Sequence, residues 1–338
     1  MEEAIKRASA MHEKNYAADA HFDLGAELYV RKKRGEEDIL KEYIPQWEKI
    51  SLRIVVASVF LKDSELDTWK NSGLPSVSAL RRTLLQLTLI KEAVLLHEDK
   101  MMLIKNRTDL EHCLLSGKTG LVLYLEGLDV LLEDIWLLEV LYELGVRGAA
   151  LTWSRKNKLA TGCCRSTQHE DKKGGITRAG LCALEKMKEL GMFVDVSHLN
   201  DEGMEQLLKI KDIHVLATHS NCRWLNNHYR NLTRPMAREI VSNGGIIGIN
   251  ANKVLLNGDI RVMAEHIYEM SKVVGPDKVC LGLDLCDRYS EGAREDVLMD
   301  YTRVILLTAH LVKLGMQEEE ISRIMGKNLV DFLKKVLH

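Results

Sequence analysis

The sequence predicts an α/β fold, a (β/α)8 TIM barrel with additional C-terminal helices, built as a single domain over residues 1–338. Eight short apolar runs recur along the chain, and a segment with helical signals follows each run. The runs are continuously apolar, which is typical of parallel strands buried on both faces. The alternative is a doubly wound open sheet, but no G-x-G-x-x-G or P-loop motif follows any run. In chain order, the predicted strands are Ala17–Asp23, Ile54–Phe60, Thr119–Glu126, Gly148–Trp153, Met192–His198, His214–His219, Gly245–Ala251 and Val279–Leu285.

The segments between these strands carry helix signals. Residues 76–97 place apolar side chains at helical spacing, and residues 318–338 add one or two helices after the last strand. Polar side chains stand at three N-cap positions, where they can accept hydrogen bonds from the first turn. Glycines stand where three helices should stop before the next strand. The N-cap residues are Thr177, Asn200 and Thr233, and the glycines are Gly145, Gly191 and Gly244.

Charge and composition argue against some classes of partner. The chain has 47 basic and 49 acidic residues, a net charge of -2, which does not favour nucleic acid or an anionic membrane. The N-terminal segment lacks the apolar region of a secretory signal, and no run reaches the roughly 18 apolar residues that span a bilayer. The seven cysteines form no C-x-x-C pair, so we expect a cytoplasmic protein with reduced thiols. The mixed-charge segment Arg31–Asp38 is predicted to be a solvated loop.

Polar residues end five of the predicted strands, and all are types that bind metals or transfer protons. In a closed barrel, active-site side chains project from the C-terminal ends of the strands. Burying such groups there without partners would be costly. His21 and Asp23 are two apart in a predicted strand, so both point to one side and can bind one cation together. The full set is His21, Asp23, Glu126, His198, His219 and Asp284.

Three imidazoles and three carboxylates make a nitrogen and oxygen site that fits Zn²⁺, with Mn²⁺, Co²⁺ or Fe²⁺ as alternatives. One tetrahedral ion cannot use six groups, so two ions fit better, and Glu126 is long enough to bridge them. Taken singly, His198 could be a hydrogen-bonded core histidine and Glu126 a helix-capping partner, but the joint pattern favours metal. The other histidines outside the strands are predicted to be mostly surface residues: His12, His97, His112, His169, His266, His310 and His338.

Several motifs are similar to those of one known family. The segment DAHFD matches a D-x-H-x-D opening, and LEG matches a strand with a bridging glutamate. GGITRAGLCALEKMKELGMFVDVSHL resembles the stretch that leads to the fifth-strand histidine, and THSNCRWLNNHYRNLT resembles an S/T-H-S-N-x-R…R-N-L-T signature. GLDLCD stands where the family usually has G-x-D-F-D-G. Over nearly its whole length, the chain resembles the membrane dipeptidase family, the M19 metallopeptidases of the amidohydrolase-like barrels.

This resemblance implies a dinuclear zinc dipeptidase in which a water shared by the two ions attacks the peptide bond. Glu126 would bridge the ions, and Asp284 would be the catalytic proton shuttle. Arg230 would pair with the free C-terminal carboxylate of a small dipeptide, because its planar fork matches a carboxylate. Family members are often dimers, so a homodimer is a further implication. The implied ligands are His21 and Asp23 for one zinc, His198 and His219 for the other, and Glu126 for both.

The chain departs from the family at the fourth predicted strand. Where well-known dipeptidases carry a histidine, the segment ALTWSRKN places Trp153, and Ser154 stands where bacterial relatives often have asparagine. Trp153 and Asn157 are predicted to contact the substrate. Two alternatives stay open: a related amidohydrolase acting on N-acyl amino acids or a lactam, and a non-catalytic barrel that keeps its metal.

Overall fold

The computed structural model of the chain describes residues 1–61, 75–132, 134–163, 173–285 and 296–338. Eight parallel strands close into a barrel in the order β1-β2-β4-β5-β6-β7-β8-β9, because β9 pairs with β1 and β2 pairs with β4. A further strand, β3, pairs with the beginning of β4. The strands are β1 (Ala17–Phe22), β2 (Leu52–Phe60), β3 (Met101–Leu103), β4 (Thr119–Glu126), β5 (Val146–Ala150), β6 (Phe193–Asp195), β7 (His214–Ala217), β8 (Ile246–Ile249) and β9 (Val279–Leu281).

The predicted barrel is confirmed, but most strands end earlier than predicted. The fifth predicted strand runs to His198, whereas β6 ends at Asp195. The reason is that polar side chains replace the strand ladder there: the Asp195 carboxylate accepts the backbone N–H of Ser197 at 3.0 Å. The extra strand β3 is only three residues long, too short to give a periodic signal.

Helices connect the strands around the outside of the barrel. At the predicted N-caps, the side chains of Thr177, Asn200 and Thr233 each accept a backbone N–H three residues on, as predicted. The helices are α1 (Glu2–Lys14), α2 (Leu24–Lys33), α3 (Leu40–Lys49), α4 (Pro75–Leu96), α5 (Arg107–Ser116), α6 (Leu137–Glu143), α7 (Arg178–Glu189), α8 (Asp201–Leu207), α9 (Arg234–Ser242), α10 (Lys253–Leu256), α11 (Ile260–Val274), α12 (Val304–Lys313), α13 (Glu318–Ser322) and α14 (Asn328–Val336). Across the described ranges, the helices lack the combination of length and hydropathy that a bilayer-spanning segment needs.

The C-terminal helix α14 closes one end of the barrel. It contacts β1, β8 and β9, and its Phe332 ring lies 6.3 Å from the ring of Phe193 inside the barrel. Phe193 in turn stacks on Tyr124 at 5.9 Å. A Cβ atom at Gly148 would overlap the Phe193 ring, so glycine makes room for this aromatic filling. Aromatic packing thus fills the barrel interior beneath its open mouth.

The segment Arg31–Asp38 is not a solvated loop throughout, and this prediction is wrong at its first residues. Helix α2 continues to Lys33, and the side chain of Arg31 is only 6% exposed. Its guanidinium lies 3.2 Å from the Glu27 carboxylate and 2.7 Å from that of Glu42. The long apolar stem of arginine lets it be buried when several carboxylates surround its charged end.

Two histidines predicted to lie at the surface are buried, His12 and His266. The Nε2 of His12 lies 2.9 Å from the hydroxyl of Thr308. The Nδ1 of His266, on α11, accepts the backbone N–H of Cys222 at 3.0 Å. Pattern alone cannot separate a buried imidazole with a partner from a surface one. His169 lies outside the described residues.

His266 makes the stability of the fold depend on pH. Burial lowers the pKa of His266 from 6.5 to about 4. Below pH 6.5, His266 therefore becomes protonated in the unfolded chain but stays neutral in the folded protein. The free energy of unfolding falls as the pH is lowered from about 6.5 to about 4. His266→Gln keeps an acceptor for Cys222 but cannot titrate. Between pH 7 and pH 4.5, urea unfolding should show the wild type losing about 2–3 kcal/mol more than the variant. Parallel pH curves for the two proteins would contradict this assignment.

Candidate metal centre

The side chains of six predicted site residues converge at the open mouth of the barrel. His21 lies in β1, and Glu126 is the last residue of β4. The strand β1 contains a bulge, because Asp19 pairs with Val55 whereas Phe22, three residues on, pairs with Ala57. Such bulges re-aim side chains next to active sites. Four of the residues lie just beyond strand ends: Asp23, His198, His219 and Asp284.

Glu126 is the centre of this cluster. Its Oε1 lies 2.8 Å from Nε2 of His198, 3.4 Å from Nε2 of His219 and 3.6 Å from Nε2 of His21. The Nε2 atoms of His198 and His219 are 2.9 Å apart. One carboxylate oxygen therefore faces all three imidazoles, which is the position that a bridging ligand requires.

Two further carboxylates, those of Asp23 and Asp284, also face Nε2 of His21. The Nε2 of His21 lies 3.2 Å from Oδ1 of Asp23 and 3.9 Å from Oδ1 of Asp284. Potential ligand atoms of His21, Asp23 and Asp284 all lie within 4.8 Å of one another, and so do those of His21, Glu126 and His219. Asp23 lies beside His21, although it occupies the N-cap position of α2, without a side-chain capping hydrogen bond, and does not belong to the strand.

The electrostatics of the cluster favour cations. Burial raises the pKa of Glu126 well above its usual range, and the nearby charge of Asp23 raises it further. Burial opposes protonation of His21, but Glu126, Asp23 and Asp284 outweigh it and raise its pKa to about 10. Two buried carboxylates and the partly exposed Asp284 thus converge on one imidazole, and a divalent cation would supply the positive charge that they need.

His198 and His219 have the opposite character. Burial lowers the pKa of each well below its usual range, with positive charge from Arg230 and His21 adding to the effect. Both rings are therefore held neutral, which is the state in which imidazole binds metal.

The far side of each ring is held by a hydroxyl group. The Nδ1 atoms of His21 and His219 lie 3.2 and 2.7 Å from Oγ1 of Thr218, and Nδ1 of His198 lies 2.7 Å from Oγ of Ser154. All three histidines therefore present Nε2 to Glu126. This donor set, three imidazoles and three carboxylates with their outer sides engaged, fits divalent metal ions well.

Asp284 occupies a constrained position beside the cluster. Its φ of 54° lies in the left-handed region, and its backbone N–H donates to the carbonyl of His21 at 3.0 Å. Its Oδ2 accepts a hydrogen bond from Asn250 at 2.8 Å, and Oδ1 faces His21. Burial raises the pKa of Asp284 to about 7. A carboxyl group with a pKa near neutrality can both accept and donate protons.

Arg230 lies against the cluster from the β7–α9 loop. One guanidinium nitrogen lies 3.1 Å from Nε2 of His198, and another donates to the carbonyl of Ser197. The residue is 7% exposed. The structure thus brings the predicted carboxylate-binding group to the predicted metal ligands.

Trp153 and Asn157 lie in the loop after β5. The Trp153 ring stacks on the ring of His198 at 5.5 Å and contacts Phe60 at 5.2 Å. The Asn157 amide is used by its own loop, since it donates to the carbonyl of Leu151 and accepts two backbone N–H groups. Trp153 therefore borders the cluster, whereas the contacts of Asn157 give no support to its predicted substrate role.

Sequence reasoning missed the residues that hold the ligands in place. Asp19 accepts the N–H of His21 and the hydroxyl of Tyr301, and Ser58 donates to Asp23. The spacing of Asp19, His21 and Asp23 is a signal that could have found the first of these. The others lie in or after strands other than β1, so spacing around His21 does not find them. They are Ser58, Ser154, Asp195, Thr218 and Asn250.

Comparisons with known proteins show which family and which folds the chain resembles. The sequence model for membrane dipeptidase (peptidase family M19) matches residues 5–338. Dipeptidase verJ from Clonostachys rogersoniana is 25% identical over 261 residues, which cover 76% of this chain and 66% of that protein. Dipeptidase tcpJ from Claviceps purpurea is 25% identical over 264 residues, which cover 77% of this chain and 61% of that protein. The chain therefore spans less than two thirds of the length of these curated relatives.

A solved structure shares the architecture. A metallopeptidase from Rhodobacter sphaeroides, solved with a phosphinate mimic of the dipeptide L-Ala-D-Ala, superposes with a TM-score of 0.82 at 19% identity. The superposition covers 95% of this chain and 99% of that one. At this identity the likeness establishes the (β/α)8 barrel and leaves the chemistry to the site.

Proposed function

Since the chain belongs to the membrane dipeptidase family, peptidase family M19, we propose that it hydrolyses dipeptides with a free C-terminal carboxylate, using two bound divalent metal ions. Zn²⁺ is the ion that the imidazole-rich donor set favours. The observation that carries the proposal is the position of Glu126, whose Oε1 lies within 3.6 Å of Nε2 in all three histidines.

Five residues would hold the ions. His21 and Asp23 form one half of the site, His198 and His219 form the other, and Glu126 is shared. The chemistry that such a pair supplies is acidification of a water molecule and polarisation of a carbonyl group. The protein contributes the fixed geometry, because every imidazole is held from its outer side by a hydroxyl.

Asp284 moves the proton in this proposal. Its Oδ1 accepts a proton from the attacking water as the new C–O bond forms. It then returns that proton to the amine nitrogen as the C–N bond breaks. Asn250 holds the other carboxylate oxygen at 2.8 Å, so Oδ1 stays turned towards the cluster.

Arg230 selects the substrate by its charge. A guanidinium binds a carboxylate through two parallel hydrogen bonds, which fixes the orientation of the C-terminal residue. Trp153, stacked between Phe60 and His198, would form an apolar wall beside the scissile bond. In this proposal, the wall replaces the histidine that other family members carry on the corresponding strand.

Metal removal and a substrate panel test the proposal. Purified protein should contain about two ions per chain, lose hydrolysis in a chelator and regain it with Zn²⁺. Free dipeptides should be cleaved, and the same dipeptides with amidated C-termini should lose at least about tenfold in kcat/KM, because the ion pair with Arg230 is lost. If kcat/KM is higher for N-acyl amino acids than for dipeptides, the protein is a related amidohydrolase and the dipeptidase proposal is wrong. Hydrolysis that survives complete metal removal would refute it.

A further inference from the structure

Thr218 lies beneath the cluster and contacts two of its histidines. It directly precedes His219, and it is fully buried. Its Oγ1 lies 2.7 Å from Nδ1 of His219 and 3.2 Å from Nδ1 of His21, and 2.8 Å from Oδ2 of Asp195. One hydroxyl group therefore serves two rings that belong to different halves of the proposed metal site.

The hydrogen-bond inventory of this hydroxyl fixes the direction of each bond. A threonine hydroxyl has one proton and two lone pairs. Oγ of Ser197 also lies 3.2 Å from Oγ1 of Thr218, but the Ser197 hydroxyl donates its own proton to Asp195 at 2.7 Å. The Asp195 carboxylate accepts both hydroxyl protons, so the proton of Thr218 also goes to Asp195, at 2.8 Å. Both lone pairs are then left for the histidines, and Nδ1–H of His21 and of His219 must donate to them. With a proton held on Nδ1, Nε2 is the ring nitrogen through which each histidine would bind a metal ion.

Asp195 anchors the arrangement from below. Its carboxylate accepts hydrogen bonds from the hydroxyl of Tyr124 at 2.5 Å, from the hydroxyl of Ser197 at 2.7 Å and from the backbone N–H of Thr218 at 2.9 Å. The residue is 2% exposed. Charge-assisted hydrogen bonds of this kind are stronger than neutral ones, so the proton of Thr218 is held away from the two rings.

The backbone around Thr218 is also fixed. A Cβ atom at either Gly248 or Gly282 would overlap the carbonyl oxygen of Thr218. The two glycines on the neighbouring strand segments thus let this part of the chain approach closely, and the Thr218 hydroxyl is held between the two rings.

We infer that Thr218 is a positioning residue that couples the two metal ions by setting the tautomer and orientation of one ligand to each. The inference rests on the proposed dinuclear site. It distinguishes Thr218 from Ser154, whose hydroxyl holds only His198. Removing the Thr218 hydroxyl should lower the affinity for both ions, whereas removing the Ser154 hydroxyl should lower the affinity for only one.

The test measures Zn²⁺ binding to the metal-free protein by competition with a chromogenic chelator. Thr218→Val removes the hydroxyl at nearly constant shape, and we expect about 10–100-fold weaker binding of both ions. Thr218→Ser restores the hydroxyl and should bind within a few-fold of the wild type. Ser154→Ala should weaken one ion and leave the other near the wild-type affinity.

Thr308→Val is the matched control, because it removes a buried hydroxyl from a histidine outside the site, His12. It should lower the unfolding temperature without changing Zn²⁺ affinity. Should the Thr218→Val protein not fold, Thr218→Ala is measured in its place with the same expected loss.

The outcomes separate this inference from the proposed function. The inference is overturned if the folded Thr218→Val protein binds two ions at wild-type affinity. It is also overturned if this protein loses affinity for only one ion. Either result leaves the proposed function intact. A wild-type protein that binds no Zn²⁺ would overturn both.

Discussion

Replacing Asp284 with asparagine is expected to lower kcat by about 10²–10⁴-fold while leaving the metal content near that of the wild type. Asparagine has nearly the same shape and can still accept the hydrogen bond from Asn250. It cannot take a proton from water at neutral pH, so the loss should appear in kcat far more than in KM. Steady-state kinetics on the best dipeptide, together with metal analysis of the same sample, measure both quantities.

A matched control is available elsewhere in the chain. Asp212 shares the left-handed backbone conformation, with a φ of 57°, but its side chain is 88% exposed. Asp212→Asn therefore reproduces the chemical change in the same backbone conformation, and it should leave kcat unchanged. A kcat within a few-fold of wild type in the Asp284→Asn protein would remove Asp284 from the mechanism. Loss of metal from that protein would make Asp284 a ligand, which its 3.9 Å distance to His21 also permits.

Replacing Glu126 with glutamine is expected to have the second large effect, on metal binding itself. Glutamine keeps the length of the side chain but loses the negative charge that both halves of the site share. We expect at least about 100-fold weaker binding of Zn²⁺. The weaker Zn²⁺ binding should cost about 4 kcal/mol of transition-state stabilisation. This corresponds to a decrease of about 10³-fold in kcat/KM.

Glu27 provides the comparison for this experiment. It is a glutamate buried outside the cluster, paired with Arg31 and accepting the hydroxyl of Tyr43 at 2.7 Å. Glu27→Gln should lower the unfolding temperature and leave Zn²⁺ affinity unchanged. Equal Zn²⁺ affinity in the Glu126→Gln protein and the wild type would show that Glu126 is not a ligand.

Much of the barrel could be predicted because its signals are local. Each apolar run indicates a strand that is buried on both faces. An N-cap residue such as Thr177 accepts a hydrogen bond from the first turn of the helix that it begins. The metal-binding types at the strand ends could be found for the same reason. Parallel strands in a barrel all end at one mouth, so the residues that follow them meet there.

The parts that escaped prediction depend on contacts between distant segments. His266 is buried because the backbone of Cys222, 44 residues away, donates to it, and no pattern around His266 indicates that partner. Arg31 is different, because its partners Glu27 and Glu42 lie within 11 residues of it. Thr218 and Asn250 look like ordinary residues after apolar strands. Their importance comes from the histidines and carboxylates that the fold brings against them.

Because α14 covers one end of the barrel, we expect the substrate and products of the proposed reaction to pass through the opposite end, where the site residues lie. Both amino acids released from a dipeptide would have to leave past Arg230 before the next molecule enters. The C-terminal product would keep the carboxylate that Arg230 binds in the dipeptide. It would therefore compete with the next dipeptide for the Arg230 guanidinium. In the proposed reaction, accumulated product would therefore lower the rate by occupying the site that the next dipeptide needs.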